Sequence, residues 1–513
     1  MRSPESHCMH TPRAFPHARH SAVVFATRAH ALHTDSLART IVIVGAGFSG
    51  TAVAIHLLRL PHSAPLRIVL IERAQMAGGL AYASREGRYL LNVPAGRMSA
   101  SSVDPLEFLA YARRTLPNAS AEDFLPRELY GRYLEAALRN AARASPLHVR
   151  LERIHGEAIA LERPRRTSRV EVYLEGGGRI AAHAVVLAPG NPAPPTLSGS
   201  EKVPESRYIA DPWQGPPVFR GGETVLVVGT GLTMADVVLA GQDAARGKAT
   251  VHAISRHGLL PAAQTDFHQV SDEAQGRALL REASVSLRRV VRAVRALAED
   301  IELRGGDWRE AIGTARGVAP SLWQRLAAHE RKRFLRHVHC YWDVHRHRLP
   351  PYSWSALSEL RREGRLIVHA GRILDMEPVS RKVKITWRAR GASVAATLLV
   401  DRVVNCTGPQ YDLRRTRERL LRSLLAQGMA LSDPLGTGIM TDEFGALLDA
   451  SGRVAENLYY IGPMLRPRYW ETTAVQELRA HAEHLAHRLS VPAQVPSRRH
   501  YPAGPAWSAG AMA

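Results

Sequence analysis

The sequence predicts an α/β fold: two domains on parallel sheets, the first split in the chain by the second, with a helical insertion inside the second. Three observations carry this. Two short apolar runs, Ile41-Val42-Ile43-Val44 and Val225-Leu226-Val227-Val228, each lead into a glycine turn and an apolar helical stretch. Runs of this kind fit strands buried on both faces of a parallel sheet. Between residues 265 and 348 the pattern turns helical and loses any strand signal. The chain has 513 residues, enough for two or three cores.

In order along the chain, residues 1–39 read as an extension rich in Arg and His, with only Glu5 and Asp35 as acids. Its apolar patch, 22–26, is shorter than the roughly 7–15 residues of a secretory core. A strand at 41–44, a helix at 51–60 and a strand at 67–71 make one βαβ unit. Helices are expected at 105–116 and at 126–144, the latter with Pro126 in its first turn and an apolar stripe of Leu129, Tyr133 and Ala137. Strands follow at 170–173 and 184–187, then a Pro-rich link at 192–195. The second strand–turn–helix spans 224–241, with its next strand at 250–254. In the insertion, Leu287, Val290, Val291, Val294, Leu297 and Ile301 share one face; Arg288, Arg289, Arg292 and Arg295 form a solvated opposite face. Strands resume at 365–369, 383–387, 400–405 and 458–462, and a helix at 472–489 closes the order. The expected domains are 40–210 and 405–490 for the first, 211–404 for the second, and 491–513 as a tail.

Hydrophobic content of 45% and charged content of 22% are ordinary for a globular chain, but a net charge of +21 is not. Arg supplies nearly all of it. A positive field favours anionic ligands. No nucleic-acid module accompanies it, and the Arg residues are scattered over amphipathic helices, so no nucleic-acid partner is expected. No apolar run approaches the ~20 residues of a membrane span, and no membrane partner is expected. The three cysteines, Cys8, Cys340 and Cys406, form no CxxC pair, which fits a reducing cytoplasm.

Two motifs carry chemistry. Gly45-Ala46-Gly47-Phe48-Ser49-Gly50 is a full GxGxxG between strand and helix. Gly45 permits the tight turn, Gly47 lets the backbone approach a pyrophosphate, and Gly50 lets the helix pack on its strand. The phosphates belong at the helix N-terminus, where free N–H groups converge. Glu72, at the end of the next strand, is placed for ribose hydroxyls, with Arg73 at the same corner. The second motif is Gly229-Thr230-Gly231-Leu232-Thr233-Met234-Ala235, in which Ala235 is read as the replacement of the third glycine. Its second strand ends in Ser255-Arg256, where an NAD site shows an acid; an Arg there favours the 2′-phosphate of NADPH. Both units are therefore Rossmann-like dinucleotide-binding domains.

Two dinucleotide folds in one chain, with strand-end loops Ala188-Pro189-Gly190 and Cys406-Thr407-Gly408, resemble the two-dinucleotide-binding flavoproteins. More narrowly, the chain resembles bacterial FAD/NAD(P)-binding proteins related to flavin-containing and N-hydroxylating monooxygenases. The matching words are Gly78-Gly79-Leu80-Ala81-Tyr82, Leu91-Asn92-Val93-Pro94-Ala95-Gly96-Arg97-Met98-Ser99, Trp342-Asp343-Val344-His345-Arg346-His347-Arg348 and Trp470-Glu471-Thr472-Thr473-Ala474-Val475. The resemblance implies FAD in the first unit and a nicotinamide nucleotide in the second. It implies that Gly408 marks a crossing between domains and that Gly462 approaches the FAD, with Pro463 where an acid is common. It also implies that Thr472 and Thr473 open the last helix toward the flavin, and that Asn92 is the active-site polar group.

His337, His339, Cys340, His345 and His347 invite a metal assignment, but His337 and His339 point apart on one helix, and no metal is expected. The histidines are expected to be structural, or Arg346 and His347 to contact an anion near a cofactor. With no CxxC beside the flavin, disulfide reduction is excluded. The expected reaction is reduction of FAD by NADPH, then oxygen activation and hydroxylation of a small substrate, with amino compounds among the candidates. An NAD(P)H reductase serving a quinone or protein, and a non-catalytic flavin redox sensor, stay open as alternatives.

Overall fold

Buried β-branched runs become the centres of two sheets. The computed structural model describes residues 38–74, 78–83, 89–164, 169–215, 219–265 and 273–491. The expectations for the N-terminal extension and the tail lie almost wholly outside those residues.

Arg39–Val44 pairs in parallel with Leu66–Glu72 on one side and Ala184–Leu187 on the other. The full sheet runs Ala446–Leu448, Val454–Tyr460, Ala184–Leu187, Arg39–Val44, Leu66–Glu72, Val149–His155, and only its first pair is antiparallel. It thus takes strands from two distant stretches of chain. Helices Phe48–Arg59, Arg127–Ala144 and Val475–Ser490 cover one face. Against the other face lie a three-stranded antiparallel sheet (Ala158–Glu162, Val170–Leu174, Arg179–Ala182) and helix Arg419–Ala426.

The second sheet runs Ala396–Val400, Lys382–Ala389, Leu366–Val379, Thr250–Ser255, Thr224–Val228, Arg402–Asn405, Tyr208–Ile209. Its last five strands are parallel where they pair and its first pairings antiparallel. Leu366–Val379 serves both, parallel up to Ala370 and antiparallel from Gly371, with a register shift between Ile373 and Asp375. Helices Leu232–Ala244 and Pro351–Arg362 pack on one face.

Several expected elements differ in extent. The 105–116 helix is only Glu107–Ala112. Pro126 caps its helix rather than entering it. The expected strand at 400–405 is two strands, because the Asp401 carboxylate accepts the Thr224 N–H at 2.8 Å and turns the chain from the sheet edge to its interior. Strand Val149–His155 and helix Pro351–Arg362 were not expected. The first is an edge strand with half-exposed faces, and the second was hidden by the Pro350-Pro351 pair that opens it.

The insertion folds as helices Glu273–Ala283, Leu287–Leu303, Arg309–Gly317, Ala319–Arg325, Ala328–His337 and His339–Arg346. Leu287, Val290 and Ile301 are buried, whereas Arg288, Arg289, Arg292 and Arg295 are exposed. His337 closes one helix and His339 opens the next, so their divergence comes from a helix break rather than from positions on one helix. No helix among the described residues is long and apolar enough to cross a membrane.

Candidate functional site

The first glycine turn leaves no room where room is not needed. Gly45 has φ of +101°, and a Cβ on it would lie 2.2 Å from the Ala188 carbonyl oxygen. A Cβ on Gly50 would lie 1.9 Å from the Gly45 oxygen, so both glycines are demanded by packing. Gly47 differs: a Cβ there would meet nothing nearer than Gly79 Cα at 3.7 Å. That opening faces the first turn of helix Phe48–Arg59, whose leading N–H groups have no intrahelical partner. Phe48 and Ser49 are buried, so they offer their N–H groups rather than their side chains. Glu72 is buried at the strand end; its carboxylate accepts from Ala46 N at 2.7 Å and Ala74 N at 2.9 Å. Its remaining lone pairs fit the hydroxyl donors of a ribose. Arg73 turns away to Glu418 at 3.0 Å and Glu157 at 3.5 Å.

The second turn repeats the design. Gly229 has φ of +106°, with a would-be Cβ 2.2 Å from the Cys406 oxygen, and Gly231 has nothing within 4 Å. Helix Leu232–Ala244 starts one residue after Gly231, as the first helix starts one residue after Gly47. The residue in Gly50's place is therefore Met234, which corrects the assignment of Ala235. Thr230 donates to the Leu259 oxygen at 2.5 Å, and its oxygen is hydrogen bonded to Ser255 Oγ at 2.8 Å. Ser255 Oγ also accepts from Gly258 N at 3.0 Å. Arg256 is exposed and makes no ion pair among the described residues. Burial lowers the pKa of the adjacent His257, and Arg390, Arg256 and Arg372 lower it further, so three guanidiniums share this corner. Both cradles fit dinucleotides: an acid-tipped one for a ribose diol, a basic one for an added phosphate.

The four sequence words converge on one cavity of about 250 Å³. Ala81 and Tyr82 line it from the first word, Leu91–Pro94, Arg97 and Met98 from the second, Arg346–Arg348 from the third, and Thr473–Val475 from the fourth. Leu232, the first residue of the second unit's helix, and Ile312, Gly313 and Arg316 of the insertion complete much of the wall. The third and fourth words are also bonded to each other. Glu471 accepts from Trp342 Nε1 at 2.8 Å and from Arg346 Nε at 3.0 Å. Burial alone would raise the Glu471 carboxyl; Arg346, His347, Trp342 and Arg316 outweigh it and hold it below the usual carboxylate range. Arg316 binds Glu477 through Nε at 2.9 Å, and Trp323 Nε1 donates to the Pro467 oxygen at 2.9 Å. Trp470, held at φ of +60°, packs between Trp323 and Phe334. The insertion is thus fastened to the segment that leads into the last helix.

That helix begins at Val475, with Ala474 as its cap. Thr472 and Thr473 precede it, which corrects the expectation that they open it. Thr472 is fully buried and donates its hydroxyl to the Pro463 oxygen at 3.0 Å, tying down the turn after Gly462. Gly462 has φ of +141° and Gly408 φ of +84°, conformations that suit glycine. Of the residues expected at the site, Asn92, Arg346, His347 and Thr473 line the cavity, and the others divide between the two cradles and the adjoining loops. Arg346, expected to meet an anion, is committed to Glu471, and burial and then Arg346 lower the His347 pKa and keep its ring neutral. The spare guanidinium is that of Arg348, together with Arg97 on the facing loop; neither was expected. Among the described residues no group of three or more His, Cys, Asp or Glu side chains could hold a metal.

Two nucleotide cradles flanking one cavity define a class, that of the FAD- and NAD(P)-binding flavoproteins of oxidoreductase type. Residues 42–192 match the model of a family described as FAD-NAD(P)-binding, in keeping with the resemblance seen in the sequence. No curated protein sequence matches the chain. Among solved structures, the chain is similar to the ornithine N-hydroxylase of Kutzneria sp. 744 with FAD, NADP+ and ornithine, at 17% identity and a TM-score of 0.56, over 88% of this chain and 100% of that one. It is similar to the FAD-bound cadaverine monooxygenase of Erwinia amylovora, at 14% identity and 0.57, over 91% and 99%. It is also similar to the L-lysine 6-monooxygenase of Pseudomonas syringae, at 17% identity and 0.54, over 88% and 99%. At these identities the likeness is one of fold: two Rossmann-like domains in one chain.

Proposed function

We propose that the chain is an FAD-dependent, NADPH-using monooxygenase that hydroxylates a small substrate: NADPH, a proton, O2 and substrate give NADP+, hydroxylated product and water. The observation that carries it is the convergence of four distant sequence words on one cavity beside both cradles. In this reading residues 40–210 and 405–490 form the FAD domain, and 211–404 the NADPH domain with its insertion. Gly45, Gly47, Phe48, Ser49, Gly50 and Glu72 hold FAD, with Gly408, Gly462, Thr472 and Thr473 around its far end; Arg73, expected at the same corner, is taken up by Glu418 and Glu157. Gly229, Gly231 and Arg256 hold NADPH, and Ser255 braces their turn through Thr230. Bound FAD supplies the redox chemistry, taking hydride from NADPH and passing electrons to oxygen. The protein orients the reactants and keeps bulk water out. Asn92 offers an amide to the reacting centre from the cavity wall. The insertion, bolted on through Glu471 and Glu477, roofs the cavity.

Stopped-flow mixing of anaerobically NADPH-reduced protein with oxygen tests this. The expected trace has a transient near-ultraviolet absorbance before the oxidised flavin spectrum returns, shortened in Asn92→Ala. Immediate return with stoichiometric hydrogen peroxide, unaltered by any acid or amine tried, overturns the monooxygenase reading in favour of a reductase.

A further inference from the structure

The structural relatives named above act on ornithine, lysine and cadaverine, which carry net positive charge at neutral pH. The cavity here is built for the opposite sign. Among the described residues five arginines line it, Arg97, Arg127, Arg316, Arg346 and Arg348, and no carboxylate does. Three of the five are answered from behind the wall: Arg127 by Asp236 at 2.7 Å, Arg346 by Glu471 at 3.0 Å, and Arg316 by Glu477. Two are not. Arg348 has Nε and Nη1 buried without a hydrogen-bond partner, and neither it nor Arg97 forms an ion pair among the described residues. Arg316 stands near both. Burial, then Arg309 and Arg346, push the Arg348 guanidinium down to about 10, still charged at neutral pH.

A guanidinium removed from water without a counter-charge is costly, and a chain does not hold one there for stability. A carboxylate repays that cost through a two-pronged, charge-assisted bond. An ammonium entering the same space would meet two guanidiniums that no ion pair among the described residues offsets, with Asp307 as the opposing charge felt at Arg348.

We propose that this cavity takes a net-anionic substrate, a carboxylate-bearing acid gripped by Arg348 and Arg97, rather than a diamine or diamino acid. The assignment of the cavity to substrate rests on the monooxygenase reading; the sign of the ligand rests on the wall alone. A phosphate of NADPH is the other anion that could reach these arginines, and the test separates the two.

Calorimetric titration of the FAD-loaded full-length protein, at constant ionic strength, would compare glutarate with cadaverine. Glutarate is expected to bind at least tenfold more tightly. Arg348→Gln and Arg97→Gln are each expected to weaken glutarate at least tenfold, while the NADPH concentration that half-reduces the flavin stays put. Because Arg348 forms no ion pair among the described residues, Arg348→Gln should keep or raise the ligand-free Tm, so loss of binding is not loss of fold. Arg97→Gln, on the facing loop, gives an independent second reading. Equal or tighter binding of cadaverine overturns the proposal, as does glutarate affinity unchanged in both variants. A tenfold rise in the NADPH requirement of Arg348→Gln also overturns it, by assigning the anion to the cofactor. A missing near-ultraviolet transient with selective glutarate binding would sink the oxygenase reading and leave the acid site standing.

Discussion

The two glycine turns of this chain share a backbone and differ in charge. Gly45 N donates to the Ile71 oxygen and Gly229 N to the Ile254 oxygen, both at 2.8 Å. Ala188 N donates to the Val44 oxygen at 2.8 Å, and Cys406 N to the Val228 oxygen at 2.7 Å. In each, the strand across from the turn ends so close to the leading glycine that its carbonyl occupies the place of a Cβ. The divergence is confined to two places. Gly50 is replaced by Met234, so the second helix cannot approach its turn as closely. The second strand ends in Glu72 in one unit and in Ser255-Arg256 in the other. Backbone geometry therefore sets where a dinucleotide lies, and a single strand end sets which one.

The largest expected effect comes from what the turns share. Gly45→Ala and Gly229→Ala each force a residue into left-handed backbone and a Cβ to 2.2 Å from a carbonyl. Together these cost roughly 3 kcal/mol or more. Gly45→Ala should purify without flavin or fail to fold. Gly229→Ala should stay yellow but lose reduction by NADPH. Flavin absorbance and anaerobic reduction rates check both; full flavin occupancy with unchanged Tm in Gly45→Ala would break the equivalence of the turns.

The next effect comes from what they do not share. Arg256, exposed in the corner it shares with Arg372 and Arg390, has no ion-pair partner among the described residues to release before it meets a phosphate. Arg256→Ala should cost roughly 1.5–3 kcal/mol of the preference for NADPH over NADH, the range of a hydrogen bond to a charged group. It should leave FAD content untouched. Half-saturating concentrations of the two nucleotides in anaerobic reduction measure it, and a wild type indifferent to NADH and NADPH would show that this arginine faces elsewhere.

This comparison also separates what was legible in the sequence from what was not. The cradles are local: a buried strand, a glycine turn and a helix lie within about thirty residues, and period and glycine spacing reveal them. The place of Met234 was misread because tolerance of alanine in the motif drew attention one residue too far, and only the helix start fixed the alignment. The cavity is non-local. Nothing within Trp342–Arg348 announces that Glu471 lies against Trp342 and Arg346, or that Arg348 is the guanidinium left over. The words themselves were visible; their meeting was not. The resemblance implies that Thr472 and Thr473 open the last helix, yet Thr472 spends its hydroxyl on the Pro463 oxygen instead.

The smallest effect tests the reading of the two strand ends as braces. Glu72 ties its strand to the middle of the first glycine turn by accepting from Ala46 N, and Ser255 does the same for the second through Thr230. Ala46 and Thr230 hold the same place in their motifs, so a carboxylate-to-backbone bond in one unit is matched by a hydroxyl pair in the other. Ser255 spends its one O–H on Thr230 Oγ1, whose own hydrogen goes to the Leu259 oxygen, which leaves Ser255 no donor for a phosphate oxygen. Ser255→Ala should therefore cost about 0.5–1.5 kcal/mol of stability, the ordinary value of a neutral hydrogen bond. Its requirement for NADPH and NADH should rise together, because a loosened turn handicaps both nucleotides alike, and their ratio should move far less than in Arg256→Ala. A fall in the ratio as deep as that of Arg256→Ala, with Tm unchanged, would make Ser255 a direct phosphate ligand, and the likeness to Glu72 would end at the backbone.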